Sequence, residues 1–450
     1  MLTNYQGVIS LLRRCGSTGP FYRIVHTCDT CNAQPKEVAS VGIAHVIVIA
    51  SHLIHPIMLS RTFYRTKFYT CRRRSILPPC LTINRRFHIE GLALAPFVYT
   101  GLFIGLWTWK CIMMIVFQDK IIYNPFLPPN SRWEKIEDYK TLGIRWREER
   151  IKSLDGVEVA LCVGGIDVDV GGNGGEGEGR DVYVLYFQGN ASSTPPRLPD
   201  LSKTLTILRR QLELENETAA IRATTLRSRC TVTIVCLSYR GYWTSRGRPS
   251  ERGIRLDALA AFQWIESHHH HTHTHSHNPN PNKEIKVILW GQSIGSGIAT
   301  NLAADLAHTP THTPIDSLVL ETPFTSTRDM LVALYPQKWL PYRYLWPFLR
   351  NRLDSFGNLD VVASPSPSQS QRVREREREK EKKKPEIFIL QAAKDELVPA
   401  ELTQQLYDKC VELDIPVSKA MVSGAFHNDA LFREEGKRAV AGFLKGRVLS

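Results

Sequence analysis

Residues 285–298 read Ile-Lys-Val-Ile-Leu-Trp-Gly-Gln-Ser-Ile-Gly-Ser-Gly-Ile, and this stretch decides the fold. Its apolar, β-branched beginning predicts a buried strand, and the small residues after Ser293 predict a helix. Gly291 and Gly295 flank Ser293 at the two positions where a sharp turn has no room for a larger side chain. The turn would expose the Ser293 hydroxyl above a helix N-terminus, whose amides stabilise negative charge. The stretch therefore predicts a nucleophilic serine.

Two further residues complete a catalytic order. A serine nucleophile needs a base, and the base needs an orienting carboxylate; after this kind of turn the acid precedes the histidine. Asp395 follows the strand-like run 386–391, and His427 follows the run 417–422. Taken singly, each is more often a solvated loop residue. Because both lie past a strand end and in the right order, they predict a triad with Ser293.

An oxyanion hole is predicted after the strand at 181–187. Residues 188–192 read Gln-Gly-Asn-Ala-Ser, and Gly189 would let the backbone turn its amides toward a reacting carbonyl. We expect the donors to lie near Gly189 and Asn190, with the amide of Ile294 as the second. An ordinary turn is the alternative, since Gly-Asn is a common turn pair.

Seven motifs, in one order, resemble those of the bud-emergence (Bem-like) branch of the alpha/beta hydrolases, which are membrane-anchored. They are QDKIIYNP (118–125), YFQGNA (186–191), SYRGY (238–242) with GRPSERG (247–253), GQSIG (291–295), ETPFTS (321–326), DELVP (395–399) and HND (427–429). The resemblance covers the chain from about residue 90 to its end. It implies an alpha/beta-hydrolase fold, a mostly parallel central sheet flanked by helices, with a short lid. It also implies the same triad and oxyanion hole.

The chain departs from the family pattern at three positions. Gln188 replaces a histidine, Ser192 a glycine and Trp243 a glycine. Gln188 can hydrogen-bond as a histidine does, and Trp243 is expected to narrow or reshape the rim of the pocket. Arg240 and Asp257 are expected to form a structural polar network rather than to take part in catalysis.

Composition indicates a globular chain with appendages. Hydrophobic residues make up 43% and charged residues 22% of the 450 residues, which suits one hydrolase domain over residues 118–450. The low-complexity stretches 164–180, 267–282 and 364–385 are interpreted as disordered loops. The net charge is +13, but no aromatic residues interleave with the charged runs, so nucleic-acid binding is not predicted.

Seven histidines between His268 and His277 suggest a metal site. They lie in a repetitive tract that is expected to be flexible, with no nearby carboxylate or cysteine to complete a ligand shell. We therefore expect no metal, and the triad chemistry requires no cofactor.

The N-terminal part predicts a membrane anchor. Residues 91–109 carry no charge, and after Lys110 the apolar run continues to Phe117, so 91–117 is long enough to span a bilayer. Residues 1–90 form a basic extension, expected to be poorly ordered, with 12 Lys/Arg against 3 Asp/Glu. The positive-inside rule then predicts a single-pass type II protein of the endoplasmic reticulum or plasma membrane, with a lumenal or extracellular hydrolase domain. A weaker apolar segment, 41–59, leaves this orientation open.

Two further features depend on that topology. Residues 322–360 are rich in aromatic side chains and are expected to form the lid. These side chains would line an acyl pocket, form a surface that rests on the membrane, or pack into the core. Both Asn190 and Asn216 begin glycosylation sequons. A sugar on Asn190 would block the site, so Asn216 is the expected acceptor in a lumenal domain.

The predicted activity is hydrolysis of acyl esters or thioesters, including palmitoyl groups on proteins, through an acyl-enzyme. The expected partners are such a substrate, with lipidated proteins among the candidates, and membrane lipid around the anchor. A serine peptidase or aminopeptidase is one alternative, but the sequence shows no acidic anchor for a substrate amine. A non-catalytic membrane scaffold is the other, and three aligned catalytic groups argue against it.

Overall fold

The computed structural model describes residues 89–171, 180–222, 227–274, 283–309, 313–363 and 384–450. The apolar segment 41–59 and the rest of residues 1–88 lie outside these ranges. So does 364–383, which is most of the third low-complexity stretch. The expectations for those segments stay predictions.

An eight-stranded sheet forms the centre of the described chain. Its order is β1-β2-β4-β3-β5-β6-β7-β8, with β1–β2 and β2–β4 antiparallel and the other five pairs parallel. The strands are β1 (Arg147–Lys152), β2 (Glu158–Gly171), β3 (Arg180–Phe187), β4 (Arg227–Ser238), β5 (Glu284–Gln292), β6 (Ile315–Glu321), β7 (Glu386–Ala392) and β8 (Val417–Val422). The predicted alpha/beta-hydrolase fold, with a mostly parallel sheet, is confirmed.

Helices cover both faces of this sheet. The helices are α1 (Ile89–Val116), α2 (Gln118–Tyr123), α3 (Leu198–Arg222), α4 (Glu251–Thr274), α5 (Ile294–His308), α6 (Thr327–Leu334), α7 (Ser355–Ala363), α8 (Ala400–Glu412) and α9 (Glu434–Leu449). One face packs against α3 and α9, and the other against α4, α5, α7 and α8. The result is a three-layer core.

Strand β3 illustrates why the parallel strands occupy the middle of the sheet. Its side chains alternate between the two core layers, and both sets are buried, as expected for a strand covered on both faces. The set toward α3 and α9 is Val182, Val184 and Tyr186; the other set is Tyr183, Leu185 and Phe187.

The parallel strands also bring the predicted site together. The carboxyl ends of β3, β5, β7 and β8 lie on the same edge of the sheet. Residues 188–192 follow β3, Ser293 follows β5, Asp395 follows β7 and His427 follows β8. This edge is where ligands bind in open α/β sheets.

Parts of two stretches that were expected to be disordered loops lie in regular structure. Residues 164–171 belong to β2, because Ile166 and Val168 are buried while Asp167 and Asp169 are exposed, which is the alternation of a half-buried strand. Residues 267–274 continue α4. That helix places His269 four residues after the buried Ile265, on the same face.

The expectation that no carboxylate lies near the histidine tract is wrong. Asp181, at the start of β3, lies 3.1 Å from His269 Nδ1 and 2.5 Å from His273 Nε2. The partners are 88 and 92 residues apart in the sequence, so only the folded sheet brings them together.

Helix α1 is the candidate anchor. Its segment Leu94–Val116 has a mean hydropathy of 1.4 and is the one helix among the described residues that is long and apolar enough to cross a bilayer. Its large apolar side chains are exposed, including Phe97, Leu102 and Trp109.

Residues 327–352 lie within the stretch 322–360 that is predicted to form the lid, and they are called the lid segment below. This segment contacts the last third of α1. Trp107 stacks on Trp339 with ring centroids 5.6 Å apart, and Lys110 Nζ lies 4.4 Å from the centre of the Tyr342 ring. After α1 ends, Gln118 donates to the Phe348 carbonyl at 3.1 Å and accepts from the Arg350 amide at 2.6 Å. Helix α1 and the lid segment are therefore packed together.

Candidate active site

The turn at Ser293 has the strained geometry that its sequence predicts. Ser293 has φ 52° and ψ −117°, in a region that L-residues rarely occupy. A Cβ atom on Gly291 would lie 2.2 Å from the Gly295 carbonyl oxygen, and one on Gly295 would lie 2.2 Å from the Phe187 carbonyl oxygen. Both glycines are thus required for strand, turn and helix to approach each other. The Ser293 amide donates to the Glu321 carbonyl at 2.8 Å, which ties the turn to β6.

The structure brings the three predicted catalytic residues into one hydrogen-bonded chain. The Ser293 hydroxyl lies 2.9 Å from His427 Nε2. His427 Nδ1 lies 2.9 and 3.0 Å from the two Asp395 oxygens. With the Nδ1 proton donated to Asp395, Nε2 is left as the acceptor for the serine proton.

Asp395 is held by the backbone that follows it. One of its oxygens accepts from the amides of Leu397 and Val398, at 3.0 and 2.8 Å. The amide of His427 donates to the Glu396 carboxylate at 3.0 Å. These bonds fix the acid and the base relative to each other. His427 is buried, and Ser293 keeps a partly accessible side chain.

The predicted oxyanion loop, residues 188–192, lies directly against the start of α5. The carbonyl oxygens of Phe187 and Gln188 come so close to Gly295 that a Cβ there would meet both, at 2.2 and 2.7 Å. This contact puts the backbone of Gly189 and Asn190 beside the helix start that carries the Ile294 amide.

Gln188 shapes the loop as the sequence predicts. Its side chain accepts a hydrogen bond from the Thr194 hydroxyl at 3.0 Å and donates to the Ala191 carbonyl at 3.3 Å. The Tyr239 hydroxyl donates to the Gln188 carbonyl at 2.7 Å. Ser192 has φ 63°, a left-handed conformation that explains why a glycine suits this position in the family.

The chain that leaves α1 supports the same loop, which the sequence did not indicate. The loop donates three hydrogen bonds to carbonyls of this chain: from Asn190 Nδ2 to Ile122 at 3.0 Å, from the Ala191 amide to Tyr123 at 3.0 Å, and from the Ser192 amide to Leu127. Because the Ala191 amide is used in this way, the amides of Gly189 and Asn190 remain the loop's candidate oxyanion donors, beside that of Ile294.

Glu321, at the end of β6, is a buried carboxyl that the catalytic order along the sequence does not predict. It is fully buried, and neither of its oxygens has a hydrogen-bond partner among the described residues. Burial raises its pKa to about 7, and the charges of Arg197 and His427 pull that pKa in the opposite direction. The available signal was a charged residue directly after the apolar run Leu318–Leu320 of the strand.

Trp243 does not reshape the rim of a pocket. Its ring is buried in the core layer of α3 and α9, and its Nε1 donates to the Glu134 carbonyl at 2.7 Å. The indole faces inward because this carbonyl satisfies its single donor. Arg240 and Asp257 do form a buried ion pair, at 2.7 Å.

Several known proteins resemble this chain over part of their length. No family model matches the chain. An uncharacterized protein of Mycobacterium tuberculosis is 27% identical over 198 residues, covering 44% of this chain and 54% of that protein. Protein bem46 of Schizosaccharomyces pombe is 24% identical over 220 residues, covering 49% of this chain and 58% of its own length.

A third relative is named as an enzyme. Lysophosphatidylserine lipase ABHD12 of Danio rerio is 35% identical over 175 residues, covering 39% of this chain and 38% of the lipase. The chain therefore matches between about a third and three fifths of the length of these relatives. By these matches the chain resembles the Bem46-like alpha/beta hydrolases, and its own fold is that of an alpha/beta hydrolase.

Proposed function

We propose that the protein is a membrane-anchored serine hydrolase that cleaves acyl esters of membrane lipids by way of an acyl-enzyme on Ser293. The observation that carries this proposal is the hydrogen-bonded chain from the Ser293 hydroxyl through His427 to Asp395. This arrangement activates a serine hydroxyl at neutral pH.

The geometry supports a two-step mechanism. His427 Nε2 takes the proton as Ser293 Oγ attacks the acyl carbonyl, and Asp395 stabilises the imidazolium that forms. The amides of Asn190 and Ile294 hold the oxyanion. His427 then protonates the leaving alcohol. Water, deprotonated by the same imidazole, releases the acyl group and restores Ser293.

The position of the lid segment supports a substrate that comes from the bilayer. Trp107 lies nine residues before the end of α1, or about 14 Å along a helix. With Leu94–Val116 across the membrane, the Trp339 ring that stacks on Trp107 lies about 14 Å inside the end of the span, within the hydrocarbon layer, so this part of the lid segment would be a lipid-facing surface. The side chains of Trp339, Tyr344 and Phe348 are more than half exposed, as suits such a surface.

The positive charge of the lid segment also supports a substrate that comes from the bilayer. Residues 327–352 contain five Lys or Arg side chains and one Asp. Cations among exposed aromatic rings favour a surface of anionic headgroups. One relative is named a lysophosphatidylserine lipase, which adds weight to a single-chain, anionic phospholipid as substrate. A palmitoyl thioester on a protein is the next candidate, because the same acyl chemistry applies.

The topology that accompanies this function is single-pass type II. The hydrolase domain would face the lumen of the endoplasmic reticulum or the cell exterior, with the basic residues 1–90 in the cytosol.

The test is fluorophosphonate labelling of the full chain in detergent. Wild type is expected to be labelled, and Ser293→Ala to lose all labelling. Ser267→Ala, which removes an exposed serine on α4, should label like wild type. Well-folded wild type that takes up no label would contradict the proposal and favour a non-catalytic scaffold.

Substrate class follows from a second assay on the same samples. Lysophospholipids, simple acyl esters, palmitoyl-cysteine thioesters and aminoacyl amides would be compared by kcat/KM. The proposal expects lysophospholipid esters to be preferred, and to be cleaved faster in liposomes than in detergent. Preference for the amides would instead indicate a peptidase.

A further inference from the structure

We propose that Asp181, His269 and His273 form a binding site for a divalent transition metal such as Zn²⁺, at the edge of the sheet opposite the catalytic residues. The three side chains come from the start of β3 and from two consecutive turns of α4. Their ligand atoms lie within 4.8 Å of one another. Two imidazoles and a carboxylate are a ligand set that zinc accepts, with water in the fourth position.

The orientation of His269 points to a cation rather than to a hydrogen bond. His269 Nε2 lies 3.1 Å from the Lys283 carbonyl oxygen, so Nε2 carries the proton and donates it there. Nδ1 then presents a lone pair, and it lies 3.1 Å from an Asp181 oxygen without a hydrogen-bond partner. With His269 neutral, Nδ1 and the Asp181 oxygen are two acceptors that face each other in a buried setting, and a bound cation between them would satisfy both, as would a proton on Nδ1. The donation to a backbone carbonyl is also the usual outer contact of a metal-bound histidine.

The remaining contacts assign each oxygen of Asp181. The oxygen that faces His269 also faces His273 Nε2, at 2.5 Å. The other oxygen accepts from Lys283 Nζ at 2.6 Å. Asp181 would therefore ligate a metal through one oxygen, while Lys283 holds the second and fixes the carboxylate plane. Asp181 is almost fully buried and His269 nearly so, which shields the site from water.

Such a metal would link the end of α4 to the start of β3. The ligands are far apart in sequence, and only the folded chain assembles them, so metal binding would stabilise the folded state. His270 and His271 belong to the same tract but are exposed and lie outside the three-residue cluster, so they supply the matched control.

The test is thermal unfolding of the chelator-treated full chain with Zn²⁺ alone as the probe. At about a hundredfold excess of Zn²⁺ over its dissociation constant, the Tm of wild type is expected to rise by about 5 °C. The double variant His270→Asn/His271→Asn should show the same rise. His273→Gln, at a partly accessible position, should abolish it.

A direct measurement of metal binding tests the proposal even if a variant has a low Tm without metal. Co²⁺ in place of Zn²⁺ should give the intense visible absorption of a tetrahedral site in wild type and in the His270/His271 control, but not in His273→Gln. An unchanged wild-type Tm, or a rise that persists in His273→Gln, would overturn the proposal. The cluster would then be an ion pair of Asp181 with a protonated histidine.

Discussion

At the scale of single residues, Glu321 makes the stability of the folded chain depend on pH. Its pKa in the folded chain, about 7, lies above the usual value of 4.5. Between these two values the unfolded chain has released the proton and the folded chain still holds it. The unfolded state then binds fewer protons, so stability falls as pH rises from about 4.5 to about 7, by about 3 kcal/mol.

The substitution Glu321→Gln should remove most of this slope, because an amide of the same shape does not titrate. The free energy of unfolding would be measured by urea titration at pH 5 and pH 8. Glu401→Gln, an exposed change on α8, should keep the wild-type slope. A slope that is equal in Glu321→Gln and wild type would show that another group titrates.

At the scale of elements, Arg240 joins the end of β4 to α4 and to the turn between β1 and β2. Its guanidinium lies 2.7 Å from Asp257 and 2.8 Å from Asp155. Asp257 is fully buried and Arg240 nearly so. Burying this pair costs desolvation, and removing one partner leaves the other charge without compensation.

We expect Asp257→Asn to lower the free energy of unfolding by about 3 kcal/mol. Asp305→Asn breaks the exposed contact with Arg255, on the same helix as Asp257, and should cost less than about 1 kcal/mol. Chemical denaturation measures both. Fluorophosphonate labelling of the folded fraction should persist in Asp257→Asn, and its loss would mean that Asp257 acts at the catalytic site.

The individual elements show how much of the fold could be predicted from the sequence. The turn at Ser293 was predictable because its requirements are local: a strand, two glycines and a helix within 14 residues. The loops holding Asp395 and His427 were predictable from strand ends and chain order. The end of β2 was not, since its glycines masked the alternation of Ile166 and Val168 with acids.

Contacts between segments that are distant along the chain could not be predicted from the sequence. No residue near His269 in the sequence predicts its contact with Asp181. Likewise, no pattern in residues 122–127 predicts that their carbonyls hold the oxyanion loop. Such pairs arise from the order of strands in the sheet and from the path of the chain after α1. Local patterns do not encode either one.

At the scale of the whole molecule, the side of the membrane that the hydrolase domain faces is testable through its sequons. Thr218 is exposed and Asn216 is partly so, on α3. A lumenal domain should carry an N-glycan on Asn216, visible as a gel shift removed by a glycosidase. Asn216→Gln should lack the shift and Asn190→Gln should retain it. Wild type without a glycan would favour a cytosolic domain.

The contacts between the oxyanion loop and residues 122–127 also limit how the enzyme can move. A hydrolase on a flexible stalk could swivel and reach bonds at many heights above the bilayer. With α1 across the membrane, the segment that leaves it would hold the predicted oxyanion loop, so the bonds that shape this loop would also set the tilt and height of the domain. A fragment without α1 should accordingly begin no later than Gln118, because a shorter one removes carbonyls that hold the loop.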